Sequence, residues 1–146
     1  MPLPERLPRG ARFGRRADVV YPVARLVQTV RAEDREPFIT ADGSEIRELA
    51  GVPSGNAENQ SLAEATVPAG GTTIAHLHRT TEEIYLFTSG SGRMKLGDEE
   101  AEVSAGDTVV IPPGTPHKLW NAGAEPLKLL CCCAPPYTHE DTFLMQ

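Results

Sequence analysis

From Ser61 onward the chain is cut into short runs of β-branched or alternating residues, each closed by a turn of glycine, proline or aspartate. SLAEATV ends at PAGG, TTIAHLH at a short polar turn, EIYLFT at GSG, RMKLG at an acidic turn, TVVI at PPGTP and HKLWN at AGAEP, before LKLLCC. Runs of this length recurring every 8–12 residues or so predict strand after strand in an antiparallel sandwich or barrel. No amphipathic helix of useful length interrupts them. With 13 Gly and 13 Pro in 146 residues, the density of helix breakers fits short strands and tight turns. The expected fold class is therefore all-β.

The first 60 residues are less regular. Val19–Arg31 has a strand-like pattern, Arg31–Pro37 is a charged link, and Asp42-Gly43-Ser44 is a turn. Glu45–Ala50 reads as a short strand or one helical turn, and Gly51–Gln60 as a loop. Residues 1–16 hold five arginines against one glutamate, leaving 9 basic and 19 acidic residues in the remainder. The expected organisation is an Arg/Pro-rich arm over 1–18 and a single barrel domain over 19–146. The arm reads as an extended tail, or as a segment that docks on the acidic body of a second subunit. A net charge of −6 argues against a nucleic-acid partner. No run of 18 apolar residues predicts a membrane span, and no apolar stretch near the N-terminus predicts a signal peptide. Three contiguous cysteines, 131–133, are not a disulfide framework and suit a reducing cytoplasm.

Chemistry concentrates in the regular half. His76 and His78 stand two apart on a predicted strand, so both imidazoles face the same way, with Ile74 on that side. Glu83 follows across the turn Arg79-Thr80-Thr81 and shares its face with Tyr85 and Phe87, whereas its rival Glu82 faces away. His117 opens a strand after the rigid corner Pro112–Pro116, with Leu119 and Asn121 on its face. Three imidazoles and one carboxylate entering one interior would make a mixed nitrogen–oxygen site for a divalent first-row metal, with positions left for water or substrate. His139, in a polar tail, is expected in solvent. The cysteine run reads as a strand, so its thiols alternate and cannot converge on one ion. Cys131 and Cys133 would be the inward pair, packing the core or lining the cavity. Trp120 is expected to point away from His117. Gln60 and Glu64 share a face, either an exposed edge or the cavity mouth.

Two spaced patterns resemble the paired motifs of the cupin superfamily. The first is Gly71-x4-His76-x-His78-x4-Glu83-x6-Gly90, with Gly70 supplying the usual longer spacing. The second is Gly106-x5-Pro112-x-Gly114-x2-His117-x3-Asn121. Together they cover residues 70–121. Gln60–Leu144 as a whole is similar to small single-domain bacterial cupins, notably in EEIY, GDTVVIPPGTPHK and CCCAPPYTHEDT. The resemblance implies an RmlC-like jelly-roll barrel, or double-stranded β-helix, with a metal on His76, His78, Glu83 and His117. Retention of Glu83 leans toward Fe2+, Mn2+ or Ni2+ over a zinc-only site, with Zn2+ still a candidate.

The implied activities are O2 activation, as in a dioxygenase, or Lewis-acid catalysis by an isomerase or cyclase, including the cupins that cyclise polyketides. The alternative is a non-catalytic protein that binds a metal and a sugar or metabolite. The candidate catalytic residues are Glu83, as a base if it detaches, and Tyr85; Phe87, Leu119, Gln60 and Cys131 are the candidate pocket residues. The expected partner is a small molecule, with a homodimer formed through an edge strand such as Val19–Val30. Nucleophilic catalysis has no support, since no Gly-x-Ser-x-Gly elbow and no phosphate-cradling loop occur. Sugar-nucleotide epimerisation would need basic residues around a diphosphate, and only Arg79, Arg93 and Lys95 lie near.

Overall fold

The computed structural model describes residues 27–145. Within them the regular structure is almost entirely strand. A single 3-10 turn, Ala32–Asp34, precedes β1 (Phe38–Ile39), β2 (Glu45–Ala50), β3 (Ser61–Val67) and β4 (His76–His78). Then come β5 (Glu82–Ser89), β6 (Ser91–Leu96), β7 (Glu99–Ser104) and β8 (Thr108–Ile111). The chain ends with β9 (His117–Trp120), β10 (Leu127–Ala134) and β11 (Thr142–Leu144). Two antiparallel sheets result, one ordered β1-β2-β3-β10-β5-β8 and the other β11-β4-β9-β6-β7. The order is far from sequential, as in a jelly roll, and the sheets face each other across one core.

Alternation explains that core. In β5 every second residue is buried, so Glu83, Tyr85 and Phe87 face inward while Ile84 and Leu86 face out. In β10 the inward set is Leu127, Leu129, Cys131 and Cys133. Phe87, Leu127 and Leu129 pack with Val67, Met94, Val103 and Ile111 at one end of the interior. The other end holds the polar side chains. Tight turns close the runs where glycine is required. At Gly90, φ is +79° and a Cβ would stand 2.4 Å from the Pro126 carbonyl oxygen, so no other residue fits there without movement.

Of the two readings left open for Glu45–Ala50, the strand is the one found, since its backbone pairs with β3 over most of its length. Two other expectations need correcting. The TTIAHLH run forms a strand only over His76–His78, and Ile74, ahead of it, is exposed rather than beside the imidazoles. The polar tail contributes β11, which pairs with β4 through Thr142↔His78 and Leu144↔His76. Of the strand expected over Val19–Arg31, residues 27–31 are exposed and irregular; the rest, with the arginine arm, lies outside the described residues. No helix among the described residues is long and apolar enough to cross a membrane.

Candidate metal centre

Each histidine is delivered by a different constraint. His76 and His78 flank Leu77 on β4, both buried, with Leu77 half-buried on the other face. His117 pairs across the sheet with His76. The corner before it is pinned to β4, because the Gly114 N–H donates to the His78 carbonyl at 2.6 Å. Glu83 enters from the opposite sheet on β5. One ligand atom from each of His76, His78, Glu83 and His117 lies within 4.8 Å of the other three, and all four residues are buried. Glu83 Oε2 stands 3.2 Å from His78 Nε2 and 3.3 Å from His117 Nε2. Glu82, as its parity required, is exposed.

The hydrogen bonds on the far side of each ring settle which nitrogen is free. His76 Nδ1 lies 2.9 Å from the Ile74 carbonyl oxygen and His117 Nδ1 lies 3.0 Å from that of Thr115. A carbonyl only accepts, so both Nδ1 atoms carry the proton and both Nε2 atoms are bare lone pairs. Thr142 Oγ1 donates to the Thr138 carbonyl at 2.9 Å, so it accepts from His78 Nδ1 at 3.3 Å, and the same tautomer follows. Three bare Nε2 atoms and one carboxylate thus converge. Glu83 Oε2 and His117 Nε2 are buried with no hydrogen-bond partner. Buried polar atoms left unpaired are costly, and a cation between them would satisfy both. The donor set and the orphaned atoms fit a divalent metal, and the cluster could bind one.

The charges agree. Burial alone would raise the Glu83 carboxyl pKa, but the closeness of the His117 and His78 rings overrides it and holds the group down to about 2. Burial lowers the pKa of His76, with the neighbouring His117 adding to the effect, which favours the neutral ring that ligation needs. His78 moves the other way: burial lowers its pKa, but the nearby Glu83 carboxylate outweighs that and raises it. Glu83 Oε1 accepts from the Cys133 thiol at 3.4 Å, which leaves Oε2 as its free oxygen.

A cavity of about 70 Å³ opens beside this cluster. Tyr85, Leu119 and Cys131 line it, together with Cys133. Phe87 does not, being two residues deeper on β5 and part of the packed core. Gln60 does not either. It is exposed, because the inward residues of β3 are Ser61, Ala63, Ala65 and Val67, and Gln60 and Glu64 have the opposite parity. Trp120 points away from the site, under the Arg93 and Lys118 cations. His139 is exposed and outside the cluster. Asn121 is structural: its amide donates to the Val67 and Glu125 carbonyls.

Several residues at the site escape sequence reasoning. Asp42, in a turn between β1 and β2, lines the cavity and is buried. Tyr137 lines it too, with its ring edge-on to His78 at 5.8 Å. Asp141 accepts from the backbone N–H groups of Arg79, Thr80 and Thr81, and so fixes the turn between His78 and Glu83. The only sequence signal was the high polarity of these two turns, which is shared by any loop.

Two antiparallel sheets closed over three histidines and a glutamate, all on glycine-punctuated motifs, define the class of barrel called a cupin. The chain belongs to the cupin superfamily, and the family model for the cupin domain matches residues 63–133. It is 53% identical over 111 residues to the uncharacterised protein MJ1618 of Methanocaldococcus jannaschii, covering 76% of this chain and 89% of that one. It is 29% identical over 131 residues to the mannose-1-phosphate guanylyltransferase RfbM of Salmonella typhimurium, of whose length it spans only 26%. Among solved structures, the polyketide cyclase RemF from Streptomyces resistomycificus superposes with a TM-score of 0.66 at 24% identity, over 80% of this chain and 89% of that one. At that identity the likeness is one of fold.

Proposed function

We propose that this protein is a divalent-metal-dependent enzyme acting on a small organic molecule, with His76, His78, Glu83 and His117 as the metal ligands. The observation that carries the proposal is the meeting of three bare Nε2 atoms and an unpaired carboxylate oxygen beside a cavity. Fe2+, Mn2+, Ni2+ and Zn2+ all suit that donor set. When bound, such an ion supplies either a site for O2 activation or a Lewis acid that polarises a substrate oxygen. The RemF likeness, a cyclase on the same barrel, supports the second branch.

The residues around the cavity would share the remaining work. Glu83 is a ligand rather than a base in this reading, since its pKa is held low and its Oε1 already accepts from Cys133. Tyr85 is suited to donate a hydrogen bond. Burial, with the Glu83 charge adding to it, pushes its hydroxyl pKa well up, so the phenol keeps its proton and can donate to a substrate oxygen. The Cys131 thiol is likewise pushed up by burial and stays neutral, packing as a small apolar wall. Acting as a homodimer belongs to the same proposal. Ile84, Leu86 and Val110, exposed on the outer face of β5 and β8, support it. Sedimentation as a 15.8 kDa species would remove it.

Untagged protein analysed for metals should carry about one ion per chain, and His117→Ala should lose it. O2 uptake by the Fe2+ form on aromatic or β-dicarbonyl compounds would then separate the oxygenase branch from the Lewis-acid branch. Full metal stoichiometry in both His76→Ala and His117→Ala would refute the ligand assignment. A metal-loaded protein that binds but never converts such compounds would be a binding protein instead.

A further inference from the structure

One carboxylate in the cavity has no part in the proposed metal site. Asp42 is 8% exposed and sits in the turn Thr40–Ser44. Its Oδ1 is saturated, accepting from the Thr40 hydroxyl at 2.5 Å, the Ser44 N–H at 3.0 Å and the Ser44 hydroxyl at 2.6 Å. Among the described residues its Oδ2 has no hydrogen-bond partner. The nearest cationic candidate is His76 Nδ1 at 3.7 Å, and the proton on that nitrogen already goes to the Ile74 carbonyl. Asp42 therefore stands beside Nδ1 of His76 and lines the cavity with one acceptor oxygen unused among the described residues.

The turn exists to hold that oxygen there. Three donors on Oδ1 fix the carboxylate plane, and the Asp42 carbonyl accepts from the Ile74 N–H at 2.7 Å, tying the turn to the segment that leads into β4. Glu48 also lines the cavity, but its carboxylate is turned to the loop after β2, where Oε1 accepts from the Ser54 N–H and hydroxyl and both oxygens lie over Gly51. Among the described residues no lysine or arginine lines the cavity. With a divalent ion on three neutral imidazoles and Glu83, the metal end carries net positive charge. The Asp42 end is negative and unneutralised.

We infer that the cavity selects small molecules that present an electron-rich oxygen to the metal end and a hydrogen-bond donor, cationic or neutral, to Asp42 Oδ2. An anionic group at that end, carboxylate or phosphate, would face a buried carboxylate with no cation to share, and like charges in a poorly solvated site repel strongly. This rests on the metal-centre reading above and makes Asp42 a specificity-determining residue. It also separates this chain from a sugar-phosphate binder, whatever RfbM binds.

The test uses the full chain loaded with Co2+ and three hydroxamates of similar length, whose hydroxamate end chelates metals: glycine hydroxamate, propionohydroxamate and malonic monohydroxamate. Binding is followed by the Co2+ visible spectrum and by calorimetry. The expected order is ammonium tightest, neutral next and carboxylate weakest, with at least tenfold between the extremes, or about 1.4 kcal/mol. Asp42→Asn keeps the Oδ1 acceptor and so the turn. It should keep one Co2+ per chain and shrink the spread to within about threefold. Glu48→Gln should leave the order intact.

Failure to take up Co2+ would overturn both the metal-centre reading and this inference. Normal uptake with no charge order, or with malonic monohydroxamate bound tightest, would overturn this inference alone. So would an order that survives Asp42→Asn or vanishes in Glu48→Gln. Loss of Co2+ from Asp42→Asn would make the residue a support for His76, against the role inferred. Should Asp42→Asn fail to fold, the order in the wild-type protein and in Glu48→Gln still decides the substrate class.

Discussion

Replacing Thr142 by valine removes one oxygen from behind the proposed metal site and little else, since the two side chains have nearly the same shape. In the wild-type protein the Thr142 hydroxyl accepts from His78 Nδ1 at 3.3 Å and donates to the Thr138 carbonyl at 2.9 Å. His78 is buried, so without that oxygen its Nδ1 proton has no partner. The metal-free protein can escape the cost by moving the proton to Nε2, where Glu83 Oε2 waits 3.2 Å away. The metal-bound protein cannot, because Nε2 is then the ligand atom and the proton must stay on Nδ1. The penalty therefore falls on the bound state. An unsatisfied buried donor costs about 1–3 kcal/mol, which corresponds to roughly 5–150-fold in affinity and spans the usual range for partners that orient a ligating histidine. Fold stability of the metal-free protein should drop by only about 1 kcal/mol.

Chelator competition with Zn2+ or Co2+ measures the first quantity and urea unfolding in EDTA the second. Thr142→Ser restores the oxygen and should restore affinity. If Thr142→Val binds metal within threefold of wild type while folded, the tautomer reasoning fails. His78 would then not be held by this bond, or would not be a ligand.

The turn between His78 and Glu83 gives a pH-dependent prediction. The backbone N–H groups of Thr80, Thr81 and Arg79 bind the Asp141 carboxylate, and against a small desolvation cost they hold its pKa below the ordinary range. A depressed folded pKa means a contribution that is full above the unfolded pKa, about 3.9, and lost as pH falls below it. Asp141→Asn should thus be less stable than wild type by about 1 kcal/mol at pH 7, a small value because the group is solvent-exposed. The gap should shrink as pH falls below about 4 and on through the depressed folded value in metal-free urea titrations; an equal gap at pH 7 and pH 3 would contradict it. Glycines give a second comparison. Gly106 has φ +97° with nothing within 4 Å of a Cβ, whereas Gly90 has φ +79° with the Pro126 oxygen at 2.4 Å. Gly106→Ala should cost about 1–2 kcal/mol for the backbone alone, and Gly90→Ala about 1–3 kcal/mol more for the clash. Equal urea midpoints for the two would be inconsistent with the packing described.

What could be read from the sequence was whatever depends on parity and on turns a few residues long. His76 and His78 are two apart on one strand, and Glu83 rather than Glu82 shares its face with Tyr85, so neighbours along the chain fix those directions. The Pro112–Pro116 corner places His117 in the same local way. Gln60 shows the limit of this reasoning. Parity put Gln60 and Glu64 together correctly, but only the packing of β3 decides which parity is inward, and Ser61, Ala63 and Ala65 win. The cysteines fell the other way, since Leu127 and Leu129 marked the buried face for them.

The residues behind the ligands were beyond reach for a different reason. Thr142 meets His78, and Asp141 meets the turn after it, across separations of 60 residues or more, because β11 happens to pair with β4. Cys133 meets Glu83 because β10 lies between β3 and β5 with Cys133 opposite Glu83. Asp42 depends on where a turn between the edge strand β1 and its neighbour β2 comes to rest. All of these are consequences of strand order, which a jelly roll permutes thoroughly and which no local pattern encodes. The groups that would bind a metal thus lie in short, legible motifs, while the groups that fix their tautomers and set the charge of the cavity come from distant turns. Specificity in such a barrel can consequently change in the turns without disturbing the motifs, and for this chain Asp42 is the position at which to look for it.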